Sequence, residues 1–419
     1  MNIGIFTDTY LPQINGVVSS IVTLEQQLIA QGHNVYIFTI SHPQAHDDKP
    51  YVYRIPSLPF VFLKDHRVGI IYSTKLVRRV KKLKLDIILS QTEFSLGFLA
   101  KLISKQIHVP IVHTYHTMYE EYMHYISKGV EFSPELARKY SKMFCNSVDG
   151  IVAPTEKTRD LLLSYGVKKP IEVIPTGINF TPFHPSRYTK EEISSLKAQF
   201  SLDPTAPTIL FVGRIAKEKS IDVVLNALPE VIKQVPHAQL FIVGDGPEMA
   251  HLKELAQTLH LENHIIFAGL QPWQSIGKFY QLGDVFVSAS VSETQGLTFA
   301  EAMAAGLPVV AKHDESIEGL VIDDYNGKKF TTTEELSMAL IKLLQDEGYR
   351  KILSVHAMSS VAPLSDEIFG KNALAYYERI LTLKEQEKKN DKKKVDKPLK
   401  NKEQKSKEEK KTRKKRRVQ

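Results

Sequence analysis

Two glutamates, Glu293 and Glu301, are separated by seven residues in the string Ser-Glu293-Thr-Gln-Gly-Leu-Thr-Phe-Ala-Glu301-Ala-Met. The apolar run Val285–Ser288 before them reads as a buried strand, and Thr298–Ala305 after it has helical spacing. Gly296 therefore marks a strand-to-helix turn, which would expose backbone N–H groups at a helix start, where phosphate is favoured. Glu293 precedes the helix and Glu301 lies about one turn inside it, so the two need not share a role. Carboxylates in such places are also ordinary solvated or capping groups, and these residues alone leave both readings open. Two cations, Arg214 and Lys219, follow the apolar strand-like run Thr208–Val212, again as a site or as a plain surface. His113 closes another strand-like run, Ile111–His113, and His116 follows it. Their three-residue spacing suggests a metal, but no third ligand stands at a diagnostic distance, and a histidine after a strand is often structural.

These groups need a scaffold. The chain has 419 residues, enough for two or three domains of about 100–200 residues each. Its 42% hydrophobic and 24% charged content is globular. One cysteine, Cys145, excludes an internal disulfide and a cysteine-built zinc site, which fits a reducing cytosol. No apolar run is long enough to cross a bilayer, and Asp8 interrupts the opening segment, which predicts a first strand rather than a secretory leader. Strands and helices alternate in two blocks. Asn2–Thr7, Val17–Gln31 (helix), Val35–Ile40, Asp86–Leu89, Ile111–His113, Ile151–Ala153 and Ile171–Ile174 form the first. Thr208–Val212, Ser220–Val235 (helix), Gln239–Val243, Ile265–Ala268, Val285–Ser288 and Pro308–Ala311 belong to the second. The pattern predicts an α/β protein with two doubly wound parallel sheets, residues 1–178 and 179–364, facing one cleft. Residues 179–206 carry prolines and little periodicity, which places the boundary there.

Formal charge is +8, but 384–419 alone holds 18 basic and 7 acidic residues. The body is slightly acidic, so this is no basic nucleic-acid-binding domain. The tail is predicted to be disordered or only transiently helical, and without interleaved aromatics it reads as a polyanion tether. Phe241-Ile-Val-Gly244-Asp-Gly246 is a strand and tight turn. Met249 occupies the place of the third glycine in a G-x-G-x-x-G fingerprint, which disfavours a hydride-transfer enzyme.

Taken together, the motifs resemble those of glycosyltransferase family 4, retaining enzymes of GT-B fold. The Glu293–Glu301 string resembles the family's E-x₇-E region, and Arg214 with Lys219 its G-R-x-x-x-x-K segment, with Ser220 where glycine is common. Thr9–Val17 is similar to its P-x-x-G-G-V loop, with Asn15 in place of the first glycine. The resemblance implies that Glu293 contacts the donor sugar and Glu301 the nucleotide ribose. It further implies that Arg214 and Lys219 neutralise the diphosphate, a charge that grows as the nucleotide departs. Gly16, Gly244, Gly296, Leu297 and Thr298 would line the donor site, and His116 would contact the sugar near its anomeric centre. Ser220 is expected to be tolerated as a helix start, and Asn15 to accept a left-handed conformation. A final helix, about 365–383, is expected to cross back onto the first domain.

The string Tyr115–Tyr125 is similar to that of bacterial diacylglycerol glucosyltransferases. That implies transfer of glucose from UDP-glucose to diacylglycerol, for membrane glycolipids and lipoteichoic-acid anchors, with no metal and no tightly bound cofactor. An independent feature agrees. Residues 64–84 carry eight basic residues against Asp65, with Tyr72, Leu76, Val80 and Leu83 on one helical face and Phe60–Leu63 before them. Such a segment reads as a bilayer-docking helix through Lys75, Arg78, Arg79, Lys81 and Lys82, or as a solvated cover on the sheet. The expected location is peripheral, on the cytoplasmic face of the membrane, near anionic lipid. Other acceptors (a glycolipid, a polysaccharide, a protein) remain alternatives, as does nucleic-acid binding through the tail.

Overall fold

Short runs of branched and aromatic residues, buried on both faces, form the strands of two parallel sheets. The computed structural model describes residues 1–13, 15–45, 49–59, 67–69, 74–116, 134–290, 293 and 295–415, without the side chains at 59, 68, 74, 75, 134 and 391–415. Phe60–Leu63, Asp65, Tyr72, the side chain of Lys75 and most of the Tyr115–Tyr125 string lie outside these.

The first sheet comprises β1 (Asn2–Phe6), β2 (Asn34–Ile40), β3 (Val52–Ile55), β6 (Ile87–Ser90), β7 (Ile111–Thr114), β8 (Gly150–Ala153) and β9 (Ile171–Val173), with β4 (Ser57–Pro59) and β5 (Arg67–Gly69) as a separate antiparallel pair. Its order is β3-β2-β1-β6-β7-β8-β9. The second sheet comprises β10 (Thr208–Val212), β11 (Gln239–Val243), β12 (Ile265–Gly269), β13 (Val285–Ser288), β14 (Val309–Lys312) and β15 (Gly327–Phe330), in the order β12-β11-β10-β13-β14-β15. Both orders reverse once, between β1 and β6 and between β10 and β13. Ligands bind open α/β sheets at such points, beyond the carboxyl ends of the strands.

Helices cover both faces. In the first domain α1 (Gly16–Ala30) lies on one face, and α2 (Thr74–Leu83), α3 (Ser95–Ile107), α4 (Pro134–Cys145) and α5 (Glu156–Ser164) on the other. In the second come α6 (Lys190–Gln199), α7 (Ile221–Gln234), α8 (Met249–Thr258), α9 (Ile276–Tyr280), α10 (Leu297–Ala304), α11 (Thr333–Gln345) and α12 (Glu347–Ser360). The helix α6 fills part of a stretch expected to be irregular. A capping box, Thr189 with Glu192, starts it, where hydrophobic periodicity is weak.

Helix α13 (Asp366–Lys415) returns to the first domain. Its Tyr376 hydroxyl donates to the Pro170 carbonyl (2.8 Å) and accepts from the Ile151 amide (2.9 Å). Gln27 of α1 donates to Asp366 at 2.9 Å. The backbone is helical through Lys415. Lys, Glu and Gln are good helix formers, so a segment unable to build a core still propagates a helix begun on a packed one. The chain crosses between domains twice, and the crossings pair: the Ile178 amide donates to the Leu364 carbonyl (2.9 Å) and the Asp366 amide to the Ile178 carbonyl (3.2 Å).

Tyr376 is buried, and its hydroxyl reinforces the bond that the Ile151 amide makes to the Pro170 carbonyl (2.9 Å). Tyr376→Phe should cost about 1–2 kcal/mol, read as a lower denaturation midpoint at unchanged slope; no shift would remove this anchor from the account.

Candidate active site

The loop after β1 is built on buried charge. Glu25 of α1 is fully buried and accepts from the Tyr10 hydroxyl (2.5 Å), the Lys49 ammonium (2.6 Å) and the Tyr51 hydroxyl (2.8 Å). Three donors on one carboxylate fix Tyr10 and the loop that follows. Asp8 receives the Leu96 amide (3.1 Å) and the Thr92 hydroxyl (2.6 Å), closing the start of α3, and burial raises its pKa above the usual carboxylate value. At the loop's end Asn15 is extended (φ −162°), not left-handed as expected, because its side chain caps α1 by accepting from the Val18 amide at 2.9 Å. A Cβ on Gly16 would lie 3.7 Å from Leu297 of the opposite domain, so this loop approaches the start of α10.

Across the cleft, Lys219 donates to Glu293 at 2.6 Å, and its ammonium lies 3.5 Å from the Ser290 hydroxyl. The two residues expected to meet the diphosphate and the sugar are thus brought together. Arg214 is exposed and makes no ion pair with a described residue. Ser220 takes the left-handed conformation (φ 46°) with no capping bond at the start of α7. The expectation that it suits a helix start therefore needs correction: glycine's freedom is what this position uses. Gly244 (φ 141°) serves backbone packing, since a Cβ there would fall 1.9 Å from the Gly213 carbonyl oxygen, beside Arg214. Gly296 (φ 72°) begins α10, freeing its first amides toward the cleft.

Glu301 is only 6% exposed, and the Tyr280 hydroxyl donates to it at 2.6 Å. Burial raises its pKa to about 7, against the lowering effect of that bond, and raises the Tyr280 hydroxyl well above its usual value. Such a carboxylate gains from any further donor, such as a pair of hydroxyls. Gln295, between Glu293 and Gly296, ties this segment to the first domain: it accepts from the Thr176 amide (2.7 Å) and donates to the Thr176 carbonyl (2.9 Å).

The two histidines part company. His113 is buried, with Nδ1 3.0 Å from the Ser90 carbonyl and Nε2 3.0 Å from Glu93, so it is a structural link. His116 is half-buried at the strand edge, with Nε2 donating to Gln91 at 2.8 Å. Burial first, then His113, lowers its pKa to about 3. A neutral imidazole can hold a hydroxyl, but it is no general acid at neutral pH. Gln91 is buried, and its Nε2 finds no hydrogen-bond partner among the described residues. Gln91, Tyr280 and Gln295 were absent from the sequence reading; each acts through a partner on another element, and nothing in its own segment signals that. Among the described residues no cluster of His, Cys, Asp and Glu could hold a metal.

The basic helix α2 has turned inward. Val77 and Val80 are buried and Leu76 and Leu83 pack on the same core, while Arg78, Arg79, Lys81 and Lys82 are exposed. Its apolar stripe covers the sheet, so α2 offers a surface charge but no apolar face.

Two cleft-facing parallel-sheet domains with this donor-type loop define a GT-B glycosyltransferase. Residues 14–181 match the model of Glycosyltransferase Family 4 and 192–358 that of Glycosyl transferases group 1. The alpha-monoglucosyldiacylglycerol synthase of Streptococcus pneumoniae is 38% identical, over 90% of this chain and 85% of its own. That of Acholeplasma laidlawii is 36% identical, over 93% and 100%. Among solved structures, Anabaena HepE in complex with UDP-glucose superposes with a TM-score of 0.72 at 16% identity, over 90% of this chain and 100% of that one. Sucrose-phosphate synthase of Thermosynechococcus elongatus gives 0.72 at 20%, over 91% and 99%. The chain belongs to glycosyltransferase family 4, and it is a hexosyltransferase.

The folded protein holds the Glu301 proton to about pH 7, and the unfolded chain releases it near 4.5. Stability from this group therefore falls as pH rises between those values, by up to about 3 kcal/mol. Glu301→Gln should be increasingly more stable than the parent over that window in denaturant titrations. A constant difference across it would show that Glu301 titrates normally.

Proposed function

We propose that this enzyme transfers glucose from UDP-glucose to the 3-hydroxyl of 1,2-diacylglycerol, with retention of configuration and release of UDP. The carrying observation is the identity to two synthases named for that product, spread over nearly the whole of both chains. The product would serve membrane glycolipids and lipoteichoic-acid anchors.

In this reading the ribose hydroxyls donate to Glu301, completing the solvation that burial denies it. The diphosphate lies at the first amides of α10, from Gly296, Leu297 and Thr298, and toward Gly16. Arg214 and Lys219 meet its charge, and Lys219 exchanges part of its bond to Glu293 for phosphate oxygens. Glu293 then accepts from glucose hydroxyls, and His116 holds the sugar from the other domain. As the glycosidic phosphate bond lengthens, negative charge grows on the departing UDP, where these fixed donors stabilise it most. The acceptor hydroxyl attacks from the same face and passes its proton to the leaving phosphate. No metal step is needed. Exposed Arg78, Arg79, Lys81 and Lys82, with Lys75, draw the first domain to anionic lipid at the cytoplasmic face.

Purified protein given diacylglycerol and a panel of sugar nucleotides should consume UDP-glucose and form a monoglucosyl lipid. Transfer only to a glycolipid, a polysaccharide or a protein would replace the acceptor. The carboxylates should separate by role: Glu301→Ala weakens UDP binding itself, and Glu293→Ala spares UDP but cuts transfer by about 100-fold. Equal losses of UDP affinity would contradict the assignment.

A further inference from the structure

We propose that the outer face of α3 and α4 is the surface that enters an anionic phospholipid bilayer, with Phe98, Leu102 and Met143 as the inserted side chains and Lys101 and Lys105 at the headgroups. This deepens the reading above, since it rests on the acceptor being a membrane lipid.

The starting point is what α2 lacks. Its apolar residues are spent on the core, so its cations attract a surface without entering it. Stable attachment needs buried apolar area as well as charge. Helices α2, α3 and α4 cover the same face of the first sheet, and α3 supplies the missing part. Leu96, Leu99, Ala100 and Ile103 point into the core, while Phe98 (37% exposed) and Leu102 (37%) point out, one turn apart. Lys101 and Lys105 share that outward side, and α3 has no acidic residue.

Helix α4 packs alongside. The Phe98 ring lies 6.3 Å from that of Tyr140 and 5.8 Å from that of Phe144, which places Met143, 54% exposed, next to the α3 face. Lys142, the preceding residue, is exposed but turns its ammonium toward Gly166, away from α3. The acid of this helix, Glu135, is already bonded to Lys139 at 2.9 Å, so it does not offset the patch. Lys101 lies 5.2 Å and 4.8 Å from the Phe98 and Phe144 ring centres, and burial and the nearby Lys105 both lower its pKa. A phosphate at this spot would relieve that crowding of like charge.

The placement also fits the rest of the chain. Helix α3 starts at the cleft edge, beside Gln91 and Glu93, and ends at His108 on the opposite edge. There Lys388 donates to the His108 carbonyl (3.2 Å) and Lys384 pairs with Asp149 (2.7 Å), so the cationic tail departs next to the far end of this face. Charge from α2 on one flank and from the tail at one end would frame an apolar strip leading to the cleft. A lipid acceptor would then reach the active site without leaving the bilayer.

Co-sedimentation of the full chain with phosphatidylglycerol-containing vesicles tests this. Leu102→Ser with Met143→Ser, both at exposed positions, should lower vesicle affinity about tenfold or more and leave UDP affinity unchanged. Leu102→Trp should tighten vesicle binding and give a blue-shifted emission on vesicles. Unchanged affinity in the double variant with no shift from the tryptophan overturns the proposal. So does dissociation of an oligomer by the double variant with vesicle binding intact, which would make the face a contact between copies. The acceptor reading fails separately, as absence of transfer to short-chain diacylglycerol in detergent micelles, where no vesicle docking is required.

Discussion

Gln295 is the residue on which the cleft depends. Its amide makes two hydrogen bonds to the backbone of Thr176, in the segment that joins the domains, and it sits between Glu293 and Gly296. One side chain therefore couples the donor loop to the hinge. Around it the Thr176 hydroxyl meets Ser20 of α1 (3.1 Å), and Lys157 pairs with Asp314 across the domains (3.1 Å). These contacts, among the described residues, are polar, as contacts between domains of one chain commonly are.

The site stores charge in forms a ligand would improve. Glu301 is buried with one donor, Tyr280. Glu293 and Lys219 neutralise one another, and Arg214 faces solvent. Each state is tolerable alone, and under the proposed function a nucleotide sugar would supply hydroxyls to the carboxylates and an anion to the cations. Preorganised groups of this kind need little rearrangement as the leaving group gains charge.

Strands at the centre of each sheet were legible because burial on both faces makes them continuous apolar runs, as in Thr208–Val212 and Gln239–Val243. Two of the edge strands were not: β3 and β15 carry Arg54, Lys328 and Lys329 and lack that signature, whereas the other edges, β9 and β12, kept enough apolar residues to be read. Glu293, Glu301, Arg214, Lys219 and His116 stood out because each belongs to a short segment of recognisable spacing. Their partners did not, since Tyr280, Gln91 and Gln295 meet them only through the folding of distant segments. Asn15 and Ser220 show the limit of residue-type reasoning. Each was judged by what its type tolerates, and the backbone uses Asn15 as an extended cap and forces Ser220 into the left-handed region.

The central claim is same-face transfer of glucose to a lipid hydroxyl at this cleft. The anomeric configuration of the lipid product formed from UDP-glucose and diacylglycerol, read from the proton coupling at the anomeric carbon, tests it most directly. The account predicts an α-glucoside as the initial product. A β-glucoside, or free glucose with no lipid product, would contradict it.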